Sequence, residues 1–204
     1  MSDALAAVVA TTRGVTGLEW LAVALALAYL ILAIRLSRWC WVCAFASAGL
    51  YTVLMYDAAL YMESALQLFY MALAVYGWVE WRSGAAGRPQ LTVTAWPPAF
   101  HLPVCAVIAL LAIASGGLLQ RFTAAAFPYA DSLTTWGAMV ATWMTARKVL
   151  QSWHYWFCID ALSVFLYWQR DLLLTAALFG IYLLLILLGY RAWRATLDRG
   201  LQWQ

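Results

Sequence analysis

Few residues in this chain of 204 can do chemistry, and those that can stand inside long apolar runs. Asp160 is the most telling. It lies eight residues beyond Ser152 in an apolar stretch, at a depth where an ionisable group costs on the order of a few kcal/mol unless paired or hydrated. Gln67, seven residues past Leu60, brings an amide with donors and an acceptor into a second such stretch. Trp153 and Trp156 share one helical face, and Tyr70 and Tyr76 add further aromatic planes. An ionisable group at membrane depth is a functional-site candidate by default, and an amide and aromatic faces offer hydrogen bonds and stacking planes to a ligand. Each group also has a structural alternative. Gln67 or a protonated Asp160 can close an interhelical hydrogen bond. Any single aromatic among 13 Trp and 11 Tyr can belong to the core or to an interfacial belt.

The same inventory argues against catalysis. An intramembrane enzyme needs paired carboxylates, a metal cluster or a nucleophile with its base, and Asp160 is the one acid placed firmly inside a span. Glu63 reads as a solvated helix-end charge. Glu19 and Asp131 stand at helix starts, where a carboxylate complements the N-terminal dipole. His101 and His154 lie near helix ends, far apart in sequence, and suggest no metal site. Cys40 and Cys43 form a C-x-x-C with no second pair or nearby His to complete four ligands. Together with Cys105 and Cys158 they read as buried small hydrophobes, so neither a metal nor a cofactor is expected.

The elements that must position these groups follow from composition. Hydrophobic residues make up 66% of the chain and charged ones 10%, with a mean hydropathy of +0.80, whereas a soluble domain carries about a quarter charged residues. Such a chain cannot solvate its own surface in water, so membrane lipid is its expected solvent. A net charge of +3 without a run of Lys or Arg argues against nucleic acid as a partner. Seven apolar segments reach spanning length: Leu18–Ile34, Trp39–Tyr56, Leu60–Val79, His101–Leu119, Ser132–Ala146, Ser152–Trp168 and Leu172–Tyr190. In lipid each must satisfy its own backbone, which predicts helices. Residues 82–100, rich in Gly and Pro, read as a linker between two halves.

Lys and Arg set the orientation. Seven crossings put nine cations (Arg35, Arg38, Arg82, Arg88, Arg147, Lys148, Arg191, Arg194 and Arg199) on the side of the C-terminus. Arg13, Arg121 and Arg170 fall on the other. The positive-inside rule then predicts a cytoplasmic C-terminus and an N-terminus outside.

"YGWVEW" (76–81) followed by Arg82 returns as "GYRAW" (189–193) followed by Arg194. Sliding the chain by 112 residues pairs 35–82 with 147–194, and 13 of 48 positions are identical without a gap; composition alone gives roughly five. Among them are Arg35/Arg147, Trp41/Trp153, Phe45/Phe157, Tyr70/Tyr182, Gly77/Gly189, Trp81/Trp193 and Arg82/Arg194. Arg13 ahead of an apolar run fits a signal peptide, but the same offset pairs Glu19 with Asp131 and ties the first helix into the repeat. Three helices, one linking helix and three more make seven. The expected fold is an all-α membrane protein with a 3+1+3 parallel repeat. Its divisions are 1–82 (first bundle), 83–130 (loop and linker helix), 131–194 (second bundle) and 195–204 (cytoplasmic tail). Parallel repeats of this kind are a transporter design, with the substrate between the bundles near the midplane.

That plan is the SWEET-like one. "LQLFYMALAVYGWVEW" (66–81), "AFPYADS" (126–132), "TARKVLQSWHYW" (145–156) and "LLTAALFGIYLLLILLGYRAW" (173–193) resemble the PnuC family of bacterial vitamin transporters. The resemblance extends from Trp20 to Trp193. It implies a homotrimer in the bacterial inner membrane that passes nicotinamide riboside by facilitated diffusion, with phosphorylation inside the cell trapping the product. Relatives carry thiamine or riboflavin. It also implies substrate-binding roles for Gln67, Trp153 and Trp156, to which the aromatic plane of Tyr70 and the membrane depth of Asp160 add two further candidates. In one respect the chain departs: Ser152 stands where nicotinamide riboside carriers typically have Asn. Nicotinamide riboside is the first expectation and thiamine the second, both being flat-ringed cations. A proton-coupled carrier using Asp160 and a receptor or scaffold subunit are the remaining classes.

Overall fold

A chain that cannot offer its backbone to water must bond it internally, and the computed structural model does so with helices. It describes residues 17–57, 61–82, 91–123, 127–169 and 173–201. These form α1 (Gly17–Ile34), α2 (Cys40–Asp57), α3 (Tyr61–Trp81), α4 (Pro98–Phe122), α5 (Pro128–Ala146), α6 (Ser152–Gln169) and α7 (Leu173–Leu201). Proline opens α4 and α5, where the first turn needs no N–H and a fixed φ is already helical. Three helices meet a strict criterion of length and apolar content for crossing a membrane: α2, α4 and the Thr175–Gly200 part of α7. In α5 and α6 threonine, serine and Asp160 dilute the apolar content.

The chain divides into two compact units, Met1–Ala85 and Ala86–Gln204. In the first, α1 packs on α2 and α2 on α3; in the second, α4 packs on α5, α5 on α6, and α6 on α7.

Each unit contains the same seam. In the first, the Trp41 ring covers Gly77, where an added Cβ would stand 2.3 Å from it. The same ring meets Trp81 edge-on, with centroids 5.6 Å apart and planes at 90°. In the second, a Cβ on Gly189 would stand 2.3 Å from Trp153, and Trp153 meets Trp193 at 5.4 Å and 90°. These are the residues of the recurring phrase. Glycine is required because the indole occupies the volume a side chain would need, and the edge-to-face geometry places a positive ring edge against a negative ring face.

The turns entering α2 and α6 also match. Leu36 and Lys148 are the described non-glycine residues with positive φ, at 55° and 51°. The Ser37 N–H bonds Leu32 O and the Leu36 N–H bonds Ala33 O, at 2.9 and 3.0 Å. Val149 to Met144 and Lys148 to Thr145 repeat both distances 112 positions on. This pair of bonds is a Schellman motif, which closes a helix through one left-handed residue. Glycine usually takes that position, so leucine and lysine there hold the turn against a local backbone cost.

The stretch read as a linker is partly built into the second unit. Thr94 pairs with Val149 in a short parallel bridge: its N–H bonds Lys148 O at 3.1 Å and its carbonyl accepts from the Leu150 N–H at 2.8 Å. Gln151 then acts as a further rung, accepting from the Trp96 N–H at 3.1 Å and donating to Trp96 O at 2.9 Å. Lys148 Nζ donates to Leu91 O at 2.8 Å.

Two readings need correction. Cys40 is buried and Cys43 half-buried, but Cys105 and Cys158 are exposed on α4 and α6; a thiol is apolar enough to face lipid as readily as a core. The last helix does not stop at Tyr190 but continues to Leu201. There an Arg194–Asp198 pair at 3.0 Å, one turn apart, supports a polar extension of the helix.

Candidate functional site

The candidate site residues of the second unit gather on α6. Trp153, Trp156 and Asp160 are spaced three and four apart, so helical geometry stacks them on one face. Asp160 is 5% exposed, with Ser163 buried one turn further on. Among the described residues the Asp160 carboxylate takes no hydrogen bond. Its repeat counterpart, Ala48, is equally buried but has no polar side chain. A carboxyl group in one unit and a methyl in the other is an asymmetry that packing does not require.

At the start of this face stand two orphan donors. Ser152 Oγ and Trp153 Nε1 are buried and without a hydrogen-bond partner among the described residues. A buried donor left unmatched costs about 1–3 kcal/mol, and such groups in native proteins are commonly met by water or ligand. Sequence reasoning noted Ser152 only as a departure from a family pattern. Its orphaned hydroxyl makes it a site candidate in its own right, and nothing in a lone serine signals that.

The structure narrows what Trp153 can do. It is 2% exposed, with its ring over Gly189 and against Trp193, so its indole N–H is the group left to offer. Trp156 is half-buried and donates from Nε1 to Thr145 Oγ1 at 3.4 Å, a long bond; its ring is the better stacking plane.

In the first unit, Gln67 and Tyr70 lie three apart on α3, both half-buried. Tyr70 meets Phe69 at 6.3 Å between centroids. Trp41 mirrors Trp153 even to its buried Nε1, which has no hydrogen-bond partner among the described residues. The side chains of Glu19 and Glu63 lie outside the described residues. Asp131 stands in the first turn of α5, as expected for a carboxylate at a helix start. His101 Nδ1 meets Tyr155 OH at 3.1 Å, while the His154 ring lies against Tyr190.

Apolar helices with polar groups turned inward define an integral membrane protein. A model of the nicotinamide mononucleotide transporter family matches residues 16–195, and the chain belongs to that family, the PnuC family of membrane transporters. It is 28% identical over 174 residues to the riboflavin/roseoflavin transporter RibM of Streptomyces davaonensis, covering 83% of this chain and 80% of that one. It is 24% identical over 178 residues to the nicotinamide riboside transporter PnuC of Escherichia coli, covering 74% of each. The crystal structure of the vitamin B3 transporter PnuC superposes with a TM-score of 0.71 at 20% identity, over 96% of this chain and 88% of that one. The fold is therefore that of PnuC.

Proposed function

We propose that the protein is a uniporter for a flat-ringed, cationic vitamin or vitamin precursor, with nicotinamide riboside as the first candidate. The observation that carries this is Asp160, a carboxylate buried within α6 where the repeat counterpart is alanine. A pyridinium cation offers the opposite charge that a buried carboxylate needs. Thiamine is the alternative within the same reading, since its thiazolium would use Asp160 equally well. Gln67, Tyr70, Trp156 and Asp160 are the proposed substrate contacts, with Trp153 offering its indole N–H and Ser152 its hydroxyl. Passage is by facilitated diffusion, with phosphorylation in the cell trapping the product, as the family resemblance implies. Asp160 as a proton carrier is the coupled variant of this reading.

The proposed architecture is a 3+1+3 parallel repeat, supported by the Trp–Gly–Trp seams and the matching Schellman turns. The resemblance further implies a homotrimer in the bacterial inner membrane. The excess of Lys and Arg beside the C-terminus favours a cytoplasmic C-terminus.

One observation favours a second reading, riboflavin: the 28% identity to a riboflavin/roseoflavin transporter. Its isoalloxazine ring is neutral and would leave Asp160 without a countercharge. Titration of the purified protein with nicotinamide riboside, thiamine and riboflavin, read by tryptophan fluorescence, separates these readings. Saturable quenching by a cationic vitamin, weakened in Asp160→Asn, supports the proposal. Saturable quenching by riboflavin alone overturns it.

A further inference from the structure

Where α4 gives way to α5, the second unit holds a cavity of about 320 Å³ lined by Ala114, Gly117, Leu118, Gln120, Arg121 and Tyr129. Its construction is specific. Tyr129 packs on Gly116, where a Cβ would come within 2.6 Å of the ring, and its hydroxyl donates to Gln120 Oε1 at 2.9 Å. Gly117 keeps the space open, because a Cβ there would meet nothing nearer than the Tyr129 hydroxyl at 3.9 Å. Arg121, in the last turn of α4, makes no hydrogen bond or ion pair among the described residues. Leu110, Ala114, Gly117 and Arg121 follow one stripe of α4. Leu110 on that stripe is 67% exposed. A guanidinium without a partner among the described residues, a polar rim and an apolar track running away from it along a membrane helix form an amphipathic site.

We propose that this cavity binds an anionic phospholipid, its phosphate on Arg121 and one acyl chain along the Leu110–Ala114–Gly117 stripe. Guanidinium is the side chain best shaped for phosphate. A basic side chain at the membrane surface attracts anionic headgroups by charge. This site is separate from the proposed vitamin contacts and from the reading that rests on them.

The test is native mass spectrometry of the full chain released from detergent with phosphatidylglycerol or phosphatidylcholine added, and with inorganic phosphate as competitor. Phosphatidylglycerol is expected to bind at least about fivefold more tightly than phosphatidylcholine. Arg121→Gln removes that preference and Arg199→Gln, an exposed cation on α7, keeps it. Gly117→Leu fills the cavity without touching the charge and is expected to lower phosphatidylglycerol binding while the protein stays folded. Equal binding of the two lipids, equal loss in the two arginine variants, or full binding in Gly117→Leu overturns the assignment. Displacement of phosphatidylglycerol by millimolar inorganic phosphate overturns it in favour of a soluble-phosphate site.

Discussion

The indole of Trp153 occupies the space that a side chain on Gly189 would need: a Cβ there would stand 2.3 Å from the ring. Trp41 and Gly77 repeat the relationship at the same distance. The atoms in the way belong to a rigid ring that is itself held edge-on by Trp193 or Trp81, so a methyl group cannot be absorbed by a rotamer change.

Gly189→Ala and Gly77→Ala are each expected to destabilise the protein by about 1–3 kcal/mol through overpacking. Gly180→Ala is the control, because among the described residues nothing lies within 4 Å of its missing Cβ and helix propensity then favours alanine. Thermal unfolding in detergent ranks the three. A Gly189→Ala protein as stable as Gly180→Ala would show that the seam yields.

At Leu36 the ordinary order of glycine and alanine should reverse. Alanine normally exceeds glycine by roughly 0.5–1 kcal/mol in ordered structure. With φ at 55°, a Cβ carries a cost that glycine avoids. Leu36→Gly is therefore expected to be more stable than Leu36→Ala by about 1 kcal/mol, since both lose the same leucine packing. Unfolding temperatures of the two variants measured together check this, and alanine ahead of glycine would contradict it.

Gln151 holds Trp96 by both its N–H and its carbonyl. Gln151→Leu leaves both backbone groups unmatched and is expected to cost about 1–3 kcal/mol. Hydrogen exchange gives a local readout: the Trp96 amide should exchange faster while amides in α7 keep their rates. Unchanged protection at Trp96 would mean that the bridge at Thr94 holds the segment without the glutamine.

Much of this fold is legible in the sequence because lipid imposes a simple rule. Six of the seven helices lie within a few residues of the apolar segments that predict them. The seventh overruns because hydropathy stops at Tyr190, while the backbone, supported by Arg194 and Asp198, does not. The repeat is legible where side chains carry it, at Trp41, Gly77 and Trp81. It is not legible at Leu36 and Lys148, which share a backbone conformation but neither size nor charge. The strap at 91–97 also escapes, since it depends on single long-range bonds from Gln151 and Lys148 that no periodicity announces. At the site, Asp160 stands out in any hydropathy reading. The enclosure of Trp153 does not, because its cause, Gly189, lies 36 residues away.

The most direct test of the central claim is uptake into proteoliposomes containing only this protein, with labelled nicotinamide riboside, thiamine and riboflavin compared and no ion gradient imposed. A cationic vitamin is expected to equilibrate without a gradient, and Asp160→Asn to slow its entry by at least about tenfold. Entry of riboflavin alone, uptake only under a proton gradient, or full activity in Asp160→Asn would contradict it.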